Sequence, residues 1–456
     1  MSFNSILYAI FLPVVFLLYH FVFGNNYRKQ NILLVISSYV FYSFWDYRFV
    51  ALLICSTLLT WYLSRIRSLH STAICVILNL LILITFKYFN FFGDGIIQFL
   101  KIFGYTADWV TIDILLPIGI SFYILQAISY TIDCHKGDIS PTKDLVAFAC
   151  YMSFFPQLVA GPIEKSTSLL PQFLTNREFS YNNAVVGLRQ ILWGLYKKLA
   201  VADLAGIYVD RIIENAHWYT GSSLLLAFIL FSFQIYGDFS GYSDIAIGSA
   251  RLFGIRLSVN FRYPFFASSI QNFWQRWHIS LMNWMKDYVY IPLGGSRRGS
   301  ARTYLNIVVV FLLSGLWHGA NIMFLIWGLY CGITVILSRL FKKESSGFFT
   351  KISGIAIVFA TFTFGMVLFR SDTPEDALFY YGKIFSKSLF EGATGFTPFL
   401  SIIPMLAIEF SGRNKIFPLQ VLKISPWMRW ILYAILFYSC IFAAETDSSQ
   451  FIYFAF

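Results

Sequence analysis

Charge is scarce in this chain. Asp, Glu, Lys and Arg together make up 12% of its 456 residues, against roughly 25% in an ordinary soluble domain. A soluble protein of this length needs far more polar surface to cover its core. Paired cysteine motifs are missing as well. The six cysteines (Cys55, Cys75, Cys134, Cys150, Cys331 and Cys440) are scattered, no CxxC occurs, and most lie in apolar runs. Neither a disulfide framework nor a zinc site follows, and the thiols read as small core residues. There is no GxxxxGK[ST], no GxGxxG behind a strand and no HExxH. ATP hydrolysis, dinucleotide chemistry and zinc proteolysis lose their usual support, and no metal site is expected.

What the chain has in quantity is apolar and aromatic surface, at 57% and 20% of its residues, with a mean hydropathy of +0.65. Ile6–Phe23, Ala73–Phe86, Ser223–Ile235, Ile352–Phe369 and Trp430–Ala444 run almost without charge. A helix crosses a bilayer's hydrocarbon core with about 20 such residues. These runs predict an all-α integral membrane protein, one membrane domain over residues 1–456 with membrane lipids around it. The first run lacks a basic flank and a small-x-small cleavage site, so it is expected to stay as a span.

Cations concentrate in loops: Arg28 and Lys29; Arg65 and Arg67; Arg297, Arg298 and Arg302; Arg339, Lys342 and Lys343; and four between Arg413 and Arg429. Such loops stay cytoplasmic. Asp46-Tyr47-Arg48 then makes an outer turn, and the tail with Glu445 and Asp447 lies outside. Both termini are expected to be extracytoplasmic, with about 10–12 crossings. This loop bias accounts for the net charge of +11 without a nucleic-acid partner. It could also hold an anionic cytoplasmic substrate.

Between Asp133 and Arg302 the apolar runs are short and broken, as in Phe154-Phe155-Pro156 and Gly237–Gly248. Irregular backbone at membrane depth survives only where protein buries it or it lines a wet cavity. Three stretches there and just beyond carry chemistry. Asn272–Gly295 (NFWQRWHISLMNWMKDYVYIPLGG), taken as one helix, sets Arg276, Ser280, Asn283 and Asp287 on a polar stripe. Trp274, Trp277, Leu281, Trp284 and Tyr288 fall opposite. It is too polar to span, so it reads as interfacial or re-entrant. His278 falls on the apolar side, either as a core histidine bonded to backbone or as a site residue.

In Ser314–Asn321 (SGLWHGAN), Gly315 and Gly319 leave one helix face bare for a close neighbour. His318 beside that notch is either structural or a general base. In Gln234–Gly248, Asp238 and Asp244 would each cost about 2.5–3.5 kcal/mol at the bilayer centre without a partner. Ion pairs to Arg251 or Arg262 are expected, in preference to paired-carboxylate glycosidase chemistry.

Together with LPIGISFYILQ (Leu115–Gln126), LVAGPIEK (Leu158–Lys165), GDFSGYSDIAIG (Gly237–Gly248), RYPFFASSIQNFWQRWHISLMNWMKDYVYIPLGGSR (Arg262–Arg297) and GLWHGAN (Gly315–Asn321), these stretches resemble the membrane-bound O-acyltransferase (MBOAT) family. The resemblance covers at least residues 115–370, as a core, and extends over the whole chain. Within the family, the chain looks like the bacterial branch that O-acetylates cell-envelope polymers such as alginate and peptidoglycan.

The resemblance implies a ring of membrane helices around a thin centre, with a cytoplasmic funnel. It implies His318 as the catalytic residue and His278 as the second functional one. Trp317, Arg276 and Asn321 are expected at the substrate. Lys197, Lys198, Arg297 and Arg298 are expected to draw the phosphates of acetyl-CoA or another acyl thioester. No cofactor is expected to stay bound. An extracytoplasmic SGNH-type acetyltransferase partner and a bacterial inner-membrane location follow from the same likeness. The tail FIYFAF (Phe451–Phe456) is too short to span. It either docks on the last helix or presents Tyr453 to His318 as an acyl relay. Two rivals stay open: a teichoic-acid type D-alanyl transferase, which takes its acyl group from a carrier protein, and a transporter or flippase of envelope saccharides. One broken region, where transporters usually show two, disfavours the latter.

Overall fold

Short polar side chains start the helices where the apolar runs begin. Asn26 accepts from the backbone N–H groups of Arg28 and Lys29, Asp46 from Arg48, Asp144 from Ala147 and Asn321 from Met323. Ser68 and Ser71 form a reciprocal capping box. Each cap satisfies an N–H that the first helical turn leaves without a partner. In this computed structural model, which describes residues 1–24, 26–105, 115–159, 161–341, 347–420 and 424–444, helices dominate and no strand occurs among those residues.

Seven of the helices are long and apolar enough to cross a membrane, among them Gly221–Leu252, Gly299–His318, Ile322–Leu340 and Phe348–Arg370. Ile6–Val22, Leu145–Leu158 and Phe399–Gly412 are shorter apolar helices. Large apolar side chains such as Phe349, Ile357, Trp430 and Phe442 stand exposed on the outside. In water such a surface would be a liability; in lipid it is the expected exterior. The protein is an all-α integral membrane protein.

The chain forms two compact units. One comprises Met1–Tyr181 with Ala250–Leu257; the other comprises Asn182–Ser249 with the chain from Ser258 onward. In the first, buried polar side chains tie helices together: Ser56 donates to Asn79 (2.9 Å), and Gln126 donates to the Tyr151 carbonyl (2.6 Å). The second unit holds both histidines singled out above. Its axis is Gly221–Leu252, a helix of 32 residues that is almost wholly buried.

Two glycine seams set that unit's packing. A Cβ on Gly194 would lie 2.6 Å from the Gly241 carbonyl oxygen, and one on Gly241 would lie 2.8 Å from that of Gly194. The helix Tyr181–Leu195 therefore meets the axial helix backbone to backbone. The helices Gly299–His318 and Ile322–Leu340 meet in the same way. A Cβ on Gly315 would collide with the Phe324 carbonyl, and one on Gly328 with the Phe311 carbonyl. Of the two glycines expected to form the notch, Gly315 does so; Gly319 lies past the helix end against the Phe324 ring, and Gly328 supplies the other close contact.

Gly315→Leu should force this helix pair apart and cost about 1–3 kcal/mol or more through overpacking. Thermal unfolding of the purified protein in detergent reads the loss. Gly382→Ala, which meets nothing within 4 Å, should leave the midpoint unchanged or raised.

Candidate active site

The axial helix brings two carboxylates into an apolar interior, and the neighbouring helix answers them. Between Tyr181–Leu195 and Leu204–Glu214 the backbone widens into a π-turn, Tyr196–Asp203. In that geometry residues five apart lie one above the other, and Lys198 reaches Asp203 at 2.7 Å. The same ammonium lies 2.8 Å from Asp238. Lys197 pairs with Asp244 at 2.6 Å and donates to Ser240 at 2.9 Å. The close approach at Gly194 and Gly241 makes these contacts possible.

The sequence reading looks to Arg251 or Arg262 for these counter-charges and misses both lysines. It also needs correcting on the donor: Lys197 and Lys198 are enclosed, at 2% and 1% exposed. Their charges are spent on carboxylates, so neither is open to a phosphate. Arg297 and Arg298, by contrast, lie exposed at the start of Gly299–His318, so the four cations do not gather.

His278 sits at a corner. The single helix expected over Asn272–Gly295 is interrupted: Ile270–Trp274 ends, His278 takes a left-handed backbone conformation (φ 45°), and Ile279–Met285 begins. A non-glycine residue there costs on the order of 1–3 kcal/mol and persists only where its surroundings over-determine it. The preceding segment supplies that constraint. The Asn260 carbonyl accepts from the Ile279 N–H and the Arg276 carbonyl accepts from the Arg262 N–H, both at 2.9 Å. The corner changes the phase of the helix, so Ser280 turns inward (6% exposed) while Asn283 stays outside.

The imidazole is buried, with its Nδ1 3.2 Å from Asn260 Oδ1. The rings of Phe239 and Trp317 stand edge-on at 4.6 and 5.6 Å. His278 lies outside the spanning helices, and burial pushes its imidazole down to about 3, so the ring is neutral at ordinary pH.

His318, the last residue of its helix, is also buried. Trp317, Trp327 and Phe369 box it in edge-on at 5.1, 5.2 and 5.5 Å. Trp317 thus touches both histidines, and the structure brings them together across one indole. Beyond Trp327 stands Trp274, 6.4 Å away, which helps to wall a cavity of about 430 Å³. Its other walls include Met282, Val310 and Phe311, with Lys286 and Arg339 adding positive charge. A second, small cavity of about 20 Å³ lies among Lys197, Asp244, Asn260, Tyr236 and Glu409. There the Tyr236 hydroxyl donates to the buried Glu409 carboxylate at 2.7 Å.

Arg276 is half-buried beside the corner. Asn321 is the cap of Ile322–Leu340; its amide nitrogen donates to the Asp372 carbonyl at 3.1 Å, so both ends of the side chain serve the backbone. Tyr453 lies outside the described residues, as do Lys342 and Lys343. Sequence reasoning missed Asn260, Trp327 and Glu409. Each stands in an unremarkable local stretch, and only the first of them lies near a motif. Among the described residues no group of His, Cys, Asp and Glu side chains could hold a metal ion.

The model of the membrane-bound O-acyltransferase family matches residues 139–371, a window that contains both histidines, both lysines and Asn260. The chain is 37% identical over 392 residues to a probable alginate O-acetylase of Pseudomonas syringae pv. tomato, covering 84% of this chain and 74% of that protein. It is 35% identical over 435 residues to a probable alginate O-acetylase of Pseudomonas aeruginosa (91% and 82%). It is 34% identical over 418 residues to a peptidoglycan O-acetyltransferase of Helicobacter pylori (82% and 78%).

Lys198→Met would remove the ammonium that two buried carboxylates share. Breaking a buried pair from one side costs about 3–5 kcal/mol, so the variant should unfold at markedly lower temperature or fail to accumulate. Lys387→Met, on an exposed lysine, should leave the unfolding midpoint where it is.

Proposed function

This chain belongs to the membrane-bound O-acyltransferase family, and from that premise we propose that it moves an acetyl group from cytoplasmic acetyl-CoA across the membrane for O-acetylation of an extracytoplasmic polysaccharide. The observation that carries this reading is the convergence of two buried histidines on Trp317. The names borne by its relatives support a polymer as the final acceptor.

The chemistry needs a base, a positioned thioester and protection from water. His318 takes the proton from the acceptor hydroxyl. The oxygen bonds to the thioester carbonyl carbon, the carbon–sulfur bond breaks, and the leaving thiolate takes the proton back from the imidazolium. The products are an ester and a thiol. General-base action supplies about 10²–10⁴ in rate, and fixing the reactants supplies more. His278 is the second functional ring. The cavity of about 430 Å³ is of ligand-site size. Its apolar walls suit the donor's thioester arm, and Lys286 and Arg339, with Arg297 and Arg298, suit its phosphates.

The loop cations support an orientation in which Ser296–Arg302 is cytoplasmic and both termini face out of a bacterial inner membrane. On that side an SGNH-type partner would receive the acetyl group. Tyr453 serves as the relay in this scheme, because a phenol with a pKa near 10 deprotonates more easily than a sugar hydroxyl and its ester remains reactive.

His318→Ala should abolish polymer O-acetylation at matched expression, and His278→Ala should impair it strongly. Tyr453→Phe should lose it as well. Full acetylation by the His318→Ala protein would remove the mechanism, and by the Tyr453→Phe protein the relay alone. For orientation, a cysteine placed at Ser300 in a cysteine-free background should resist a membrane-impermeant reagent until the inner membrane is opened. Labelling from the periplasmic side would reverse the topology.

A further inference from the structure

The amide of Asn260 has no freedom in this fold. Its side chain is fully buried, and its Oδ1 faces the backbone N–H of Ser280 at 3.3 Å and the Ser280 hydroxyl at 2.9 Å. A backbone N–H can only donate. The atom facing it must therefore be the amide oxygen, whichever way the two ends of an amide would otherwise be assigned. The opposite end, Nδ2, donates to the Ser243 hydroxyl at 3.2 Å, which fits the same orientation.

That oxygen is also the atom 3.2 Å from Nδ1 of His278. An amide oxygen cannot donate, so Nδ1 must carry the hydrogen. In a neutral imidazole the other nitrogen then holds the lone pair. Nε2 is buried and has no hydrogen-bond partner among the described residues. The chain around the ring holds it there. The Asn260 carbonyl accepts from Ile279, so one residue braces the corner through its backbone and the ring through its side chain.

We propose that Asn260 is a positioning residue that fixes His278 as the Nδ1–H tautomer and leaves Nε2 as a proton acceptor. The inference rests on the assignment of His278 to the acyl-transfer site and deepens it. A neutral His278 of this tautomer has no hydrogen to give at Nε2, so it does not donate to the thioester. It accepts, and the acceptor hydroxyl is the donor that the proposed transfer brings to it. Seen this way, His318 and His278 divide the work. His318 removes the proton, and His278 orients the group that carries it.

The rings packed on His278 are Phe239, Phe261 and Trp317, none of which titrates near neutral pH. The charged groups that share the small cavity with Asn260 are Lys197, Asp244 and Glu409, with Tyr236 beside them. His318 stands across Trp317. An added carboxylate at residue 260 would therefore be the new charge in direct reach of the imidazole.

Two measurements test this. The first is nitrogen-15 solid-state NMR of the histidine-labelled protein in lipid, with the His278 signals identified by their loss in His278→Gln. It should find Nδ1 protonated and Nε2 not. A protonated Nε2 in the unaltered protein overturns the proposal, whatever the enzyme's activity, so this readout fails separately from the acyl-transfer reading. The second is thiol release from acetyl-CoA by proteoliposomes across a range of pH. In Asn260→Asp the carboxylate favours the imidazolium, so the lone pair returns only at higher pH. The His278 imidazolium should persist to a pH about 1–3 units higher than in the unaltered protein, which adds a second protonation step to the acid limb and steepens it. Asn260→Leu should lose at least tenfold in rate. An Asn260→Asp profile that keeps its shape and merely scales down would make Asn260 a structural brace and overturn the proposal.

Discussion

A lysine in an apolar interior has to find its carboxylate inside the protein, because no water stands by to take its place. Lys197 and Lys198 meet that requirement with Asp244, Asp203 and Asp238, and much of the second unit is arranged around the solution. The helix carrying the lysines must approach the axial helix closely, which Gly194 and Gly241 permit. Its backbone must also turn two adjacent lysines inward, which the π-turn over Tyr196–Asp203 achieves. The ion pairs are weak as a source of net stability, since desolvation consumes most of their Coulomb energy. Their effect is on specificity: a shift of one helix by a single residue would leave buried charges unpaired.

The same logic governs the histidine corner at lower charge. A polar ring packed among Phe239, Phe261 and Trp317 needs a hydrogen-bond partner, and Asn260 provides it. Asn260 can do so only because its segment also binds the backbone of the corner. The left-handed conformation of His278 is then a consequence of position. The chain accepts a locally unfavourable geometry so that the ring reaches Trp317 from one side while His318 reaches it from the other. A plain helix through His278 would have carried Ser280 to the outside and left Asn260 without its donors.

These arrangements suit acyl transfer for a general reason. A base that must take a proton from a weakly acidic hydroxyl works best neutral, enclosed and held in one geometry. Aromatic edges surround both histidines, and a large cavity lies against Trp274, whose ring stands 6.4 Å from Trp327.

Membrane class and helical architecture were legible in the chain itself. Scarcity of charge and runs of apolar residues act through local free energy, without reference to anything else in the fold. The motif around His318 straddles two helices: Gly299–His318 ends on the histidine, and Asn321 caps Ile322–Leu340. The partners of Asp238 and Asp244 did not follow from spacing. Lys197 and Lys198 lie some 40 residues away on another helix, and a buried charge selects its partner by proximity in three dimensions. Nor did the corner at His278, where hydrogen bonds accepted by Asn260 outweigh the helical preference of the intervening residues. Local sequence determined that the chain is helical and membrane-embedded, but neither the break at His278 nor the unbroken helix through Gly237–Gly248. Tertiary contact decided which way the buried polar residues face and what stands opposite them, because the cost of an unpaired polar group in an apolar interior exceeds the small preferences that periodicity can express.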